Sequence, residues 1–472
     1  MSGGRLMIAA PKSGSGKTFL TCGLLKALKN RGLSVRAYKC GPDYIDPMFH
    51  RHILGVNGGN LDSYFSEEEE IRNRIRRETE YTDITVIEGV MGYYDGLGGN
   101  SLRASSWDIA RITETPVILT VDSEGMGLSL GALIKGFREF QKDSRIAAVI
   151  ANKTSPAMKE RLRACVEEQG IPFLGCLPKE KEWQWDSRHL GLMFPEETGS
   201  ILETIESLAK GMERYLDMER LLRIAEESYG SWQETTSALN QAETRQTVRT
   251  GWRNKEMPVR LAIARDEAFC FYYQENLSFL EEIGCELEYF SPIHDQEIPK
   301  SAEGLLLGGG YPELYAAALS ENVQMRESIQ RAAYRGMPIL GECGGFLYLL
   351  EELEGMDGSM YPMAGVLEGR GIRRDKLVRF GYLELTASSA AGFMREGEQI
   401  RGHEFHYWDS TDNGNIFHGK KPAGGREWDC IRRKRNVLAG FPHLYYPSAP
   451  SYAKGFVQAC REYRKQKAGA LQ

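Results

Sequence analysis

The stretch Ala9-Ala-Pro-Lys-Ser-Gly-Ser-Gly-Lys-Thr-Phe19 decides how the first part of this chain folds. It follows a short apolar run, Arg5–Ala9, that predicts a buried strand, and it leads into residues Thr18–Lys29, whose apolar residues have helical spacing. A strand, a glycine-rich loop and a helix in this order are typical of phosphate-binding sites. The sequence therefore predicts a nucleotide-binding P-loop.

Each residue type in this loop has a chemical role in that interpretation. Gly14 and Gly16 let backbone N–H groups turn toward phosphate oxygens. Lys17 is expected to reach the outer phosphates of ATP, and Thr18 to ligate Mg²⁺. A glycine-rich turn with a chance lysine is the alternative, but the flanking strand and helix argue against it.

The loop departs from the standard P-loop spacing. Pro11 stands where the first glycine is expected, and a further lysine, Lys12, stands at the loop entry. That pattern resembles the deviant P-loops of ATPases and dethiobiotin-synthetase-like ligases. We therefore include Lys12 among the predicted nucleotide-binding residues.

Composition and length limit the class of protein. The 472 residues favour two or three domains, and 59 basic against 65 acidic residues give a net charge of −6, which does not favour nucleic acid as a partner. No apolar run approaches the roughly 18 residues of a membrane span, and the first strand begins too early for a signal peptide. The nine cysteines form no CxxC pair, so we expect free thiols in a reducing cytoplasm.

Apolar strand-like runs alternate with helical segments along the first half of the chain. This alternation predicts an α/β domain over residues 1–228 with a doubly wound parallel sheet. Residues 229–258 are polar without apolar periodicity, which predicts a linker. An ordered surface segment is the alternative for them. A second α/β pattern fills residues 259–472.

Acidic residues follow two predicted strands of the first domain. In parallel sheets ligands bind at the carboxyl ends of strands, so we expect these carboxylates at the nucleotide site. Asp43 and Glu88 come soonest after their strands and are predicted to lie nearest Mg²⁺. Asp46 and Asp95 lie farther along their loops and are expected, with Tyr44, to face substrate. The alternative is that Asp46 and Asp95 only shape turns.

An asparagine ends a further predicted strand, Ile146–Asn152. A side-chain amide at that position can recognise the edge of adenine. An ordinary cap or turn asparagine is the competing interpretation of Asn152.

A cysteine motif decides the chemistry of the second domain. The predicted strand Pro338–Leu340 enters Gly341-Glu-Cys-Gly-Gly345, and the apolar segment Phe346–Leu350 follows as a predicted helix. A strand, a G-x-C-x-G turn and a helix form a nucleophile elbow with sulfur in place of a hydroxyl. Cys343 is therefore the predicted nucleophile, and a buried structural cysteine is the alternative.

A nucleophilic cysteine needs a base. His443 follows the last strand-like segment of the domain, where the base of such folds commonly falls, and we assign it that role. His403 and His406 lie in Arg401-Gly-His-Glu-Phe-His-Tyr407. Their spacing does not complete a zinc site, so we expect them to serve as hydrogen-bonding or structural residues.

Together these motifs resemble the cobyrinic acid a,c-diamide synthases, a family of glutamine-dependent corrin amidases with a fused class I glutaminase domain. The resemblance covers nearly the whole chain. It rests on motifs that occur in one order: Ser13-Gly-Ser-Gly-Lys-Thr18, Gly41-Pro-Asp-Tyr-Ile-Asp-Pro47, Asn60-Leu-Asp62, Glu88-Gly-Val-Met-Gly92, Asp95-Gly96, Arg188-His-Leu-Gly-Leu192, Gly308-Gly-Gly-Tyr-Pro-Glu313, Gly341-Glu-Cys-Gly-Gly345 and Gly402-His-Glu-Phe-His-Tyr407.

For the second domain the resemblance implies a glutaminase. Glutamine would be split through a thioester on Cys343, with His443 carrying the proton and N–H groups near Gly309 and Gly344 forming the oxyanion hole. Class I glutaminases often carry a glutamate two residues after the histidine, where this chain has Tyr445. The third member of the triad is therefore unassigned.

For the first domain the resemblance implies an amido ligase. ATP with Mg²⁺ would phosphorylate a substrate carboxylate, and ammonia would displace phosphate, on the a and c acetate side chains of a cobalt corrin. Nickel sirohydrochlorin and metal-free hydrogenobyrinic acid are alternative macrocycles. A P-loop ATPase switch with a regulatory glutamine-binding module is the alternative from another class, and glutaminase turnover discriminates the two.

Overall fold

The computed structural model of the chain describes residues 3–79, 81–183, 198–228, 257–389 and 391–469. The chain forms two compact units, Met1–Arg249 and Thr250–Gln472. Nearly all of the predicted linker, 229–258, and all of the motif at 188–192 lie outside the described residues. The predicted domain boundaries therefore remain predictions.

The first unit is built on a parallel sheet. Within its described residues the sheet has seven strands, and all neighbouring pairs are parallel. The strands are β1 Gly4–Ala9, β2 Val35–Cys40, β3 Gly58–Leu61, β4 Ile84–Glu88, β5 Val117–Asp122, β6 Ile146–Asn152 and β7 Phe173–Leu177. Their order across the sheet is β3-β2-β4-β1-β5-β6-β7, which places β1 and its P-loop near the centre.

Helices connect these strands and cover both faces of the sheet. They are α1 Lys17–Asn30, α2 Ile45–His52, α3 Glu68–Thr79, α4 Ser106–Ile112, α5 Ser129–Phe140, α6 Lys159–Glu167, α7 Thr198–Tyr215 and α8 218–228. Strand β1 shows why the strands of this sheet are mostly apolar in sequence. Leu6 and Ile8 pack in one core cluster, and Met7 and Ala9 in another, because successive side chains point to opposite faces. The prediction of a doubly wound parallel sheet is confirmed.

Strand β3 was not predicted from the sequence. Its residues Gly-Gly-Asn-Leu carry little apolar signal, and glycine is a poor strand former. The strand lies at the edge of the sheet and pairs only with β2 among the described strands. Its position brings Asn60 beside the loop after β2, where Asn60 Nδ2 donates to the carbonyls of Gly41 at 2.8 Å and Asp43 at 2.6 Å.

The second unit has its own α/β core. Its main sheet holds β8 Val259–Ala264, β10 Cys285–Phe290, β11 Gly304–Leu307, β13 Ile339–Glu342, β22 Arg432–Lys434 and β23 Val437–Gly440. A short strand pair, β9 Phe269–Phe271 with β12 Gly309–Gly310, stands apart from it. The order is β10-β8-β11-β13-β23-β22, and only the pair β22 and β23 is antiparallel within this sheet. The predicted second α/β domain is confirmed.

Two smaller sheets form much of the rest of this unit. One is mixed, with the order β15-β14-β16-β19 and a parallel pair β14 and β16, and the other is antiparallel, with the order β21-β20-β17-β18-β24. Their strands are β14 Glu352–Glu354, β15 Met360–Pro362, β16 Arg370–Arg373, β17 Arg379–Ala387, β18 Gln399–His406, β19 Trp408–Ser410, β20 Phe417–Lys420, β21 Glu427–Cys430 and β24 His443–Leu444. The helices are α9 Gln274–Glu282, α10 Ala316–Glu321, α11 Val323–Tyr334, α12 Gly344–Leu349 and α13 Pro450–Gly469.

All nine cysteines are free thiols, as the sequence predicted. Among the helices that the structure describes, none combines the length and the apolar character that crossing a membrane requires.

Candidate functional site

The P-loop joins β1 to α1 at the carboxyl edge of the first sheet. Gly14 and Gly16 have φ of 75° and 89°, in the left-handed region that favours glycine. Gly16 is the N-cap of α1, so the loop delivers its backbone N–H groups to the helix N-terminus. A Cβ on Gly16 would lie 2.6 Å from Asn152 Nδ2, and a larger residue there would displace this amide.

Lys17 lies in the loop with its ammonium group held by backbone carbonyls. Nζ donates to Met91 O at 2.5 Å and to Lys12 O at 3.3 Å. Burial, followed by the nearby charge of Lys39, lowers the pKa of Lys17 to about 8. The carbonyl contacts are ones that phosphate oxygens can replace, which is the exchange a P-loop lysine makes.

Thr18 and two carboxylates converge beside the loop. Thr18 Oγ1 donates to Glu88 Oε1 at 2.6 Å, and its distance to Asp46 Oδ2 is 3.5 Å. Lys39 Nζ forms ion pairs with both acids, at 2.7 Å to Glu88 Oε1 and with a close contact to Asp46 Oδ2. All three charged side chains are buried.

The buried charges shift one another's protonation. Burial would lower the pKa of Lys39, but Asp46 and Glu88 outweigh it and raise that pKa well above its ordinary value. For Asp46, Lys39 outweighs burial and holds the pKa of the carboxyl below its ordinary value. Burial and the charge of Asp46 raise the pKa of Glu88 to about 7. The site therefore keeps Lys39 cationic and Asp46 anionic.

Lys39 is a functional-site residue that the sequence analysis did not assign. A lysine at the buried end of a strand, within Ala-Tyr-Lys-Cys, is a signal that could have identified it. A buried ammonium needs an anionic partner, so its presence predicts carboxylates at the end of a neighbouring strand.

The structure distributes the loop carboxylates differently from the sequence expectation. Asp46, which was expected to face substrate, is the one beside Thr18. Asp43, which was expected beside Mg²⁺, caps α2: its Oδ1 accepts hydrogen bonds from the N–H of Ile45 at 2.8 Å and of Asp46 at 3.2 Å. The reason is that α2 begins at Ile45, so that its first turn directs Asp46 back toward the sheet.

Three other predicted residues also have local contacts. Asp95 Oδ2 accepts from Gly92 N–H at 3.0 Å, which shapes the turn after β4, and its charge acts on Lys17. Tyr44 is the N-cap residue of α2. Asn152 Nδ2 donates to Ser15 O at 3.0 Å and so supports the P-loop itself. Recognition of adenine by Asn152 remains a prediction.

The residues around Thr18 fit a magnesium ion. Their donors are oxygens, which Mg²⁺ prefers, and two carboxylates with one hydroxyl suffice when ATP phosphates and water supply the other ligands. Among the described residues no three His, Cys, Asp or Glu side chains cluster in a way that could hold a metal ion by themselves. The donor set thus suits an ion that arrives with a nucleotide rather than a permanently bound one.

In the second unit Cys343 lies at a sharp turn between β13 and α12. Its φ of 48° and ψ of −99° are strained for a residue with a side chain, as expected of a nucleophile elbow. Cys343 N–H donates to Gly440 O at 2.8 Å, which anchors the turn on strand β23. Burial raises the pKa of the Cys343 thiol, so it needs a base to ionise.

His443 lies on β24, buried next to a glycine loop. A Cβ on Gly309 would lie 2.2 Å from His443 Cε1, so only glycine leaves room for the ring. Burial, and then His406, lowers the pKa of His443 to about 3. His443 is therefore neutral at physiological pH and can accept a proton.

Backbone N–H groups cluster beside the elbow. Gly344 N–H donates toward the Cys343 sulfur, and a Cβ on Gly344 would lie 3.1 Å from Gly310 N. The backbone nitrogen of Gly310 thus lies beside Gly344, one of the two predicted donors. Donors in fixed positions near a nucleophile are the elements of an oxyanion hole.

His406 and His403 lie close to His443 in this unit. His406 Nδ1 donates to Trp408 O at 2.6 Å, and its ring stacks on Phe441 at 3.9 Å. His403 pairs with His443 across β18 and β24. Neither belongs to a metal cluster among the described residues.

Two family matches cover most of the chain. Residues 6–192 match the CobQ/CobB/MinD/ParA nucleotide binding domain, and residues 260–450 match the CobB/CobQ-like glutamine amidotransferase domain. The first match contains the P-loop with Asp46 and Glu88, and the second contains Cys343 and His443.

Full-length relatives agree with both matches. A cobyrinate a,c-diamide synthase of Caldanaerobacter subterraneus subsp. tengcongensis is 36% identical over 98% of this chain and 99% of the relative. One of Thermoplasma volcanium is 35% identical over 98% of each chain. One of Priestia megaterium is 33% identical over the full length of both.

Proposed function

The chain belongs to the cobyrinate a,c-diamide synthase family, and on that premise we propose that it amidates the a and c acetate carboxylates of cobyrinic acid with ATP and glutamine. The observation that carries the proposal is that one chain contains both a cysteine elbow with a buried neutral histidine and a P-loop whose Thr18 contacts Glu88 and Asp46. A nitrogen-releasing site and a phosphoryl-transfer site are the two parts that such an amidation needs.

In the second unit glutamine is the nitrogen source. His443 takes the proton of the Cys343 thiol as the sulfur attacks the side-chain carbonyl carbon, forming a C–S bond. N–H groups of Gly309, Gly310 and Gly344 stabilise the oxyanion. As the C–N bond breaks, His443 returns the proton to nitrogen, and ammonia leaves. Water then cleaves the thioester, losing a proton to His443, and glutamate is released with the thiol restored.

In the first unit a substrate carboxylate is activated. Its oxygen attacks the γ-phosphorus of ATP, ADP leaves, and an acyl phosphate forms. Ammonia then attacks the acyl carbon, forming the C–N bond, while the C–O bond to phosphate breaks and a proton passes to solvent. Activation is needed because an oxide is too poor a leaving group. Each acetate side chain consumes one ATP and one glutamine.

In this proposal residues of the P-loop and of the neighbouring strand ends bind ATP and Mg²⁺. Lys17 and the N–H groups of the loop bind its phosphates, Lys12 and Asn152 contribute at the loop, and Tyr44 and Asp95 face the corrin. Thr18, Glu88 and Asp46 would hold Mg²⁺, which neutralises charge on the phosphates when bound. Asp46 replaces Asp43 in this set because of its contact geometry with Thr18.

Mass spectrometry of the products tests the substrate. We expect mono- and diamide products when the purified chain is incubated with ATP, glutamine and cobyrinic acid, and much slower turnover with nickel sirohydrochlorin or hydrogenobyrinic acid. If either of the other macrocycles is amidated faster, that macrocycle replaces cobyrinic acid as the proposed substrate. Glutaminase activity without any amidated product from the three macrocycles would contradict the proposed function.

The ligand set for Mg²⁺ gives a second test. Replacing Glu88 with Gln or Asp46 with Asn should weaken the apparent Mg²⁺ affinity about tenfold or more, because a hard cation loses an anionic ligand. Asp43→Asn is the matched control, since an asparagine oxygen accepts the same capping hydrogen bonds. Titrating Mg²⁺ against ammonia-dependent amidation measures the affinity. If the Mg²⁺ dependence of all three variants equals that of the wild type, Glu88 and Asp46 do not ligate the ion.

A further inference from the structure

Glu342 directly precedes the nucleophile and turns its carboxyl toward His443. Its Oε2 lies 3.9 Å from His443 Nδ1. We propose that Glu342 is the positioning residue for His443 and completes the glutaminase triad from the place before the cysteine. This inference rests on the proposed function, because it takes His443 as the proton carrier of Cys343.

The usual place for such a carboxylate is filled by another residue type. Two residues after His443 stands Tyr445, which is buried and packs edge-on against Tyr273, with ring centres 5.8 Å apart. A phenol in an aromatic contact does not supply the negative charge that stabilises an imidazolium. The role is therefore open for a carboxylate from another element.

Hydrogen bonds hold Glu342 in place. Tyr446 OH donates to Oε1 at 2.9 Å, and the N–H of Leu444 also donates to the carboxyl. Asn276 fixes this segment, since its Nδ2 donates to Leu444 O at 2.7 Å and its Oδ1 accepts from Tyr446 N–H at 2.9 Å. The histidine and the carboxyl group are thus located by one rigid network.

This geometry selects the reactive nitrogen of His443. When Nδ1 carries its proton toward Glu342, the other ring nitrogen, Nε2, is the base for the Cys343 thiol. The remaining separation of 3.9 Å is longer than a hydrogen bond. Catalytic contacts of this kind commonly tighten only in the substrate complex.

The two groups become charged together. Burial raises the pKa of Glu342 to about 8 and lowers the pKa of His443 to about 3, so burial disfavours a charge on either group alone. An imidazolium beside a carboxylate offsets both penalties. The other titratable groups that face this pair are Cys343, Tyr272, Tyr446, Tyr452, His403 and His406.

The decisive variant is Glu342→Gln in the full chain, since glutamine keeps the shape and the acceptor for Tyr446 but removes the charge. We expect kcat for glutamine hydrolysis to fall on the order of 100-fold with little change in KM. The pH midpoint for alkylation of Cys343 by iodoacetamide, followed by mass spectrometry of its peptide, should rise by about one unit because the imidazolium is less stable. Ammonia-dependent amidation should be unchanged.

Further variants separate positioning from mere structure. Glu342→Asp should restore the alkylation midpoint in part, and Tyr446→Phe should raise it by less than Glu342→Gln, because the carboxylate is retained but less firmly oriented. Glu303→Gln is the control: Glu303 pairs with Arg464 at 2.6 Å, at the opposite end of strand β11 from the glycine loop. We expect this control to lower thermal stability and leave the midpoint unchanged.

An unchanged midpoint and kcat in Glu342→Gln, beside an active wild type, would overturn the positioning role. So would equal midpoints in the Gln and Asp variants. Failure of the proposed function looks different, because the wild-type chain itself would then lack glutaminase activity.

Discussion

Replacing Cys343 with serine is expected to abolish glutamine-dependent amidation and to leave ammonia-dependent amidation near the wild-type rate. In the proposed function the thiol serves only in releasing nitrogen from glutamine, and ammonia added in excess bypasses that step. A serine hydroxyl at the same place is a far weaker nucleophile than a thiolate, and its pKa is much higher than that of a thiol, so His443 in this site removes its proton less readily. The glutamine-dependent rate should fall by about 1,000-fold or more.

The measurement compares both nitrogen donors in one preparation. Cys460→Ser is a matched control, since Cys460 is a buried cysteine of the same unit on α13, beside Gly304 at the start of β11 and so at the other end of that strand from the glycine loop. It should retain both activities. Equal loss of both activities in Cys343→Ser would show that Cys343 supports the fold and is not the nucleophile.

Replacing Lys17 with alanine is expected to remove amidation with either nitrogen donor. In the proposed function the ammonium group stabilises negative charge on the transferring phosphoryl group, and both nitrogen donors depend on the same activated carboxylate. We expect a loss of at least about 100-fold. In the structure Lys17 is buried, and carbonyl groups of Lys12 and Met91 hold its ammonium group beside the loop.

Lys26→Ala is the control for this variant. Lys26 is on the same helix, α1, but its partner is Glu206 on α7, at 3.0 Å on the surface. Loss of such an exposed pair costs little. Steady-state rates with glutamine and with ammonium chloride, measured at saturating ATP, check both variants. If Lys17→Ala retains ammonia-dependent activity, the P-loop does not take part in the amidation.

The sequence alone determined the elements whose signal is local. Buried strands that are covered on both faces, such as β1 and β4, are mostly apolar, so they are visible as apolar runs. The P-loop and the cysteine elbow are equally visible, because each requires glycines at fixed spacing. Strand β3 and the strands from β16 to β22 were not predicted. Strand β3 is Gly-Gly-Asn-Leu, and charged or polar residues interrupt β18, so neither shows an apolar run.

Tertiary structure alone decided which carboxylates act together. Asp43 and Asp46 both follow β2 within a few residues, and only the start of α2 at Ile45 makes the first a cap and turns the second toward Thr18. Lys39 joined the site because parallel pairing places it directly beside Glu88. Glu342 faces His443 only because β13, β23 and β24 bring distant segments together. The types of neighbouring residues predict the local conformation of the chain, whereas the distance between two side chains depends on the whole fold.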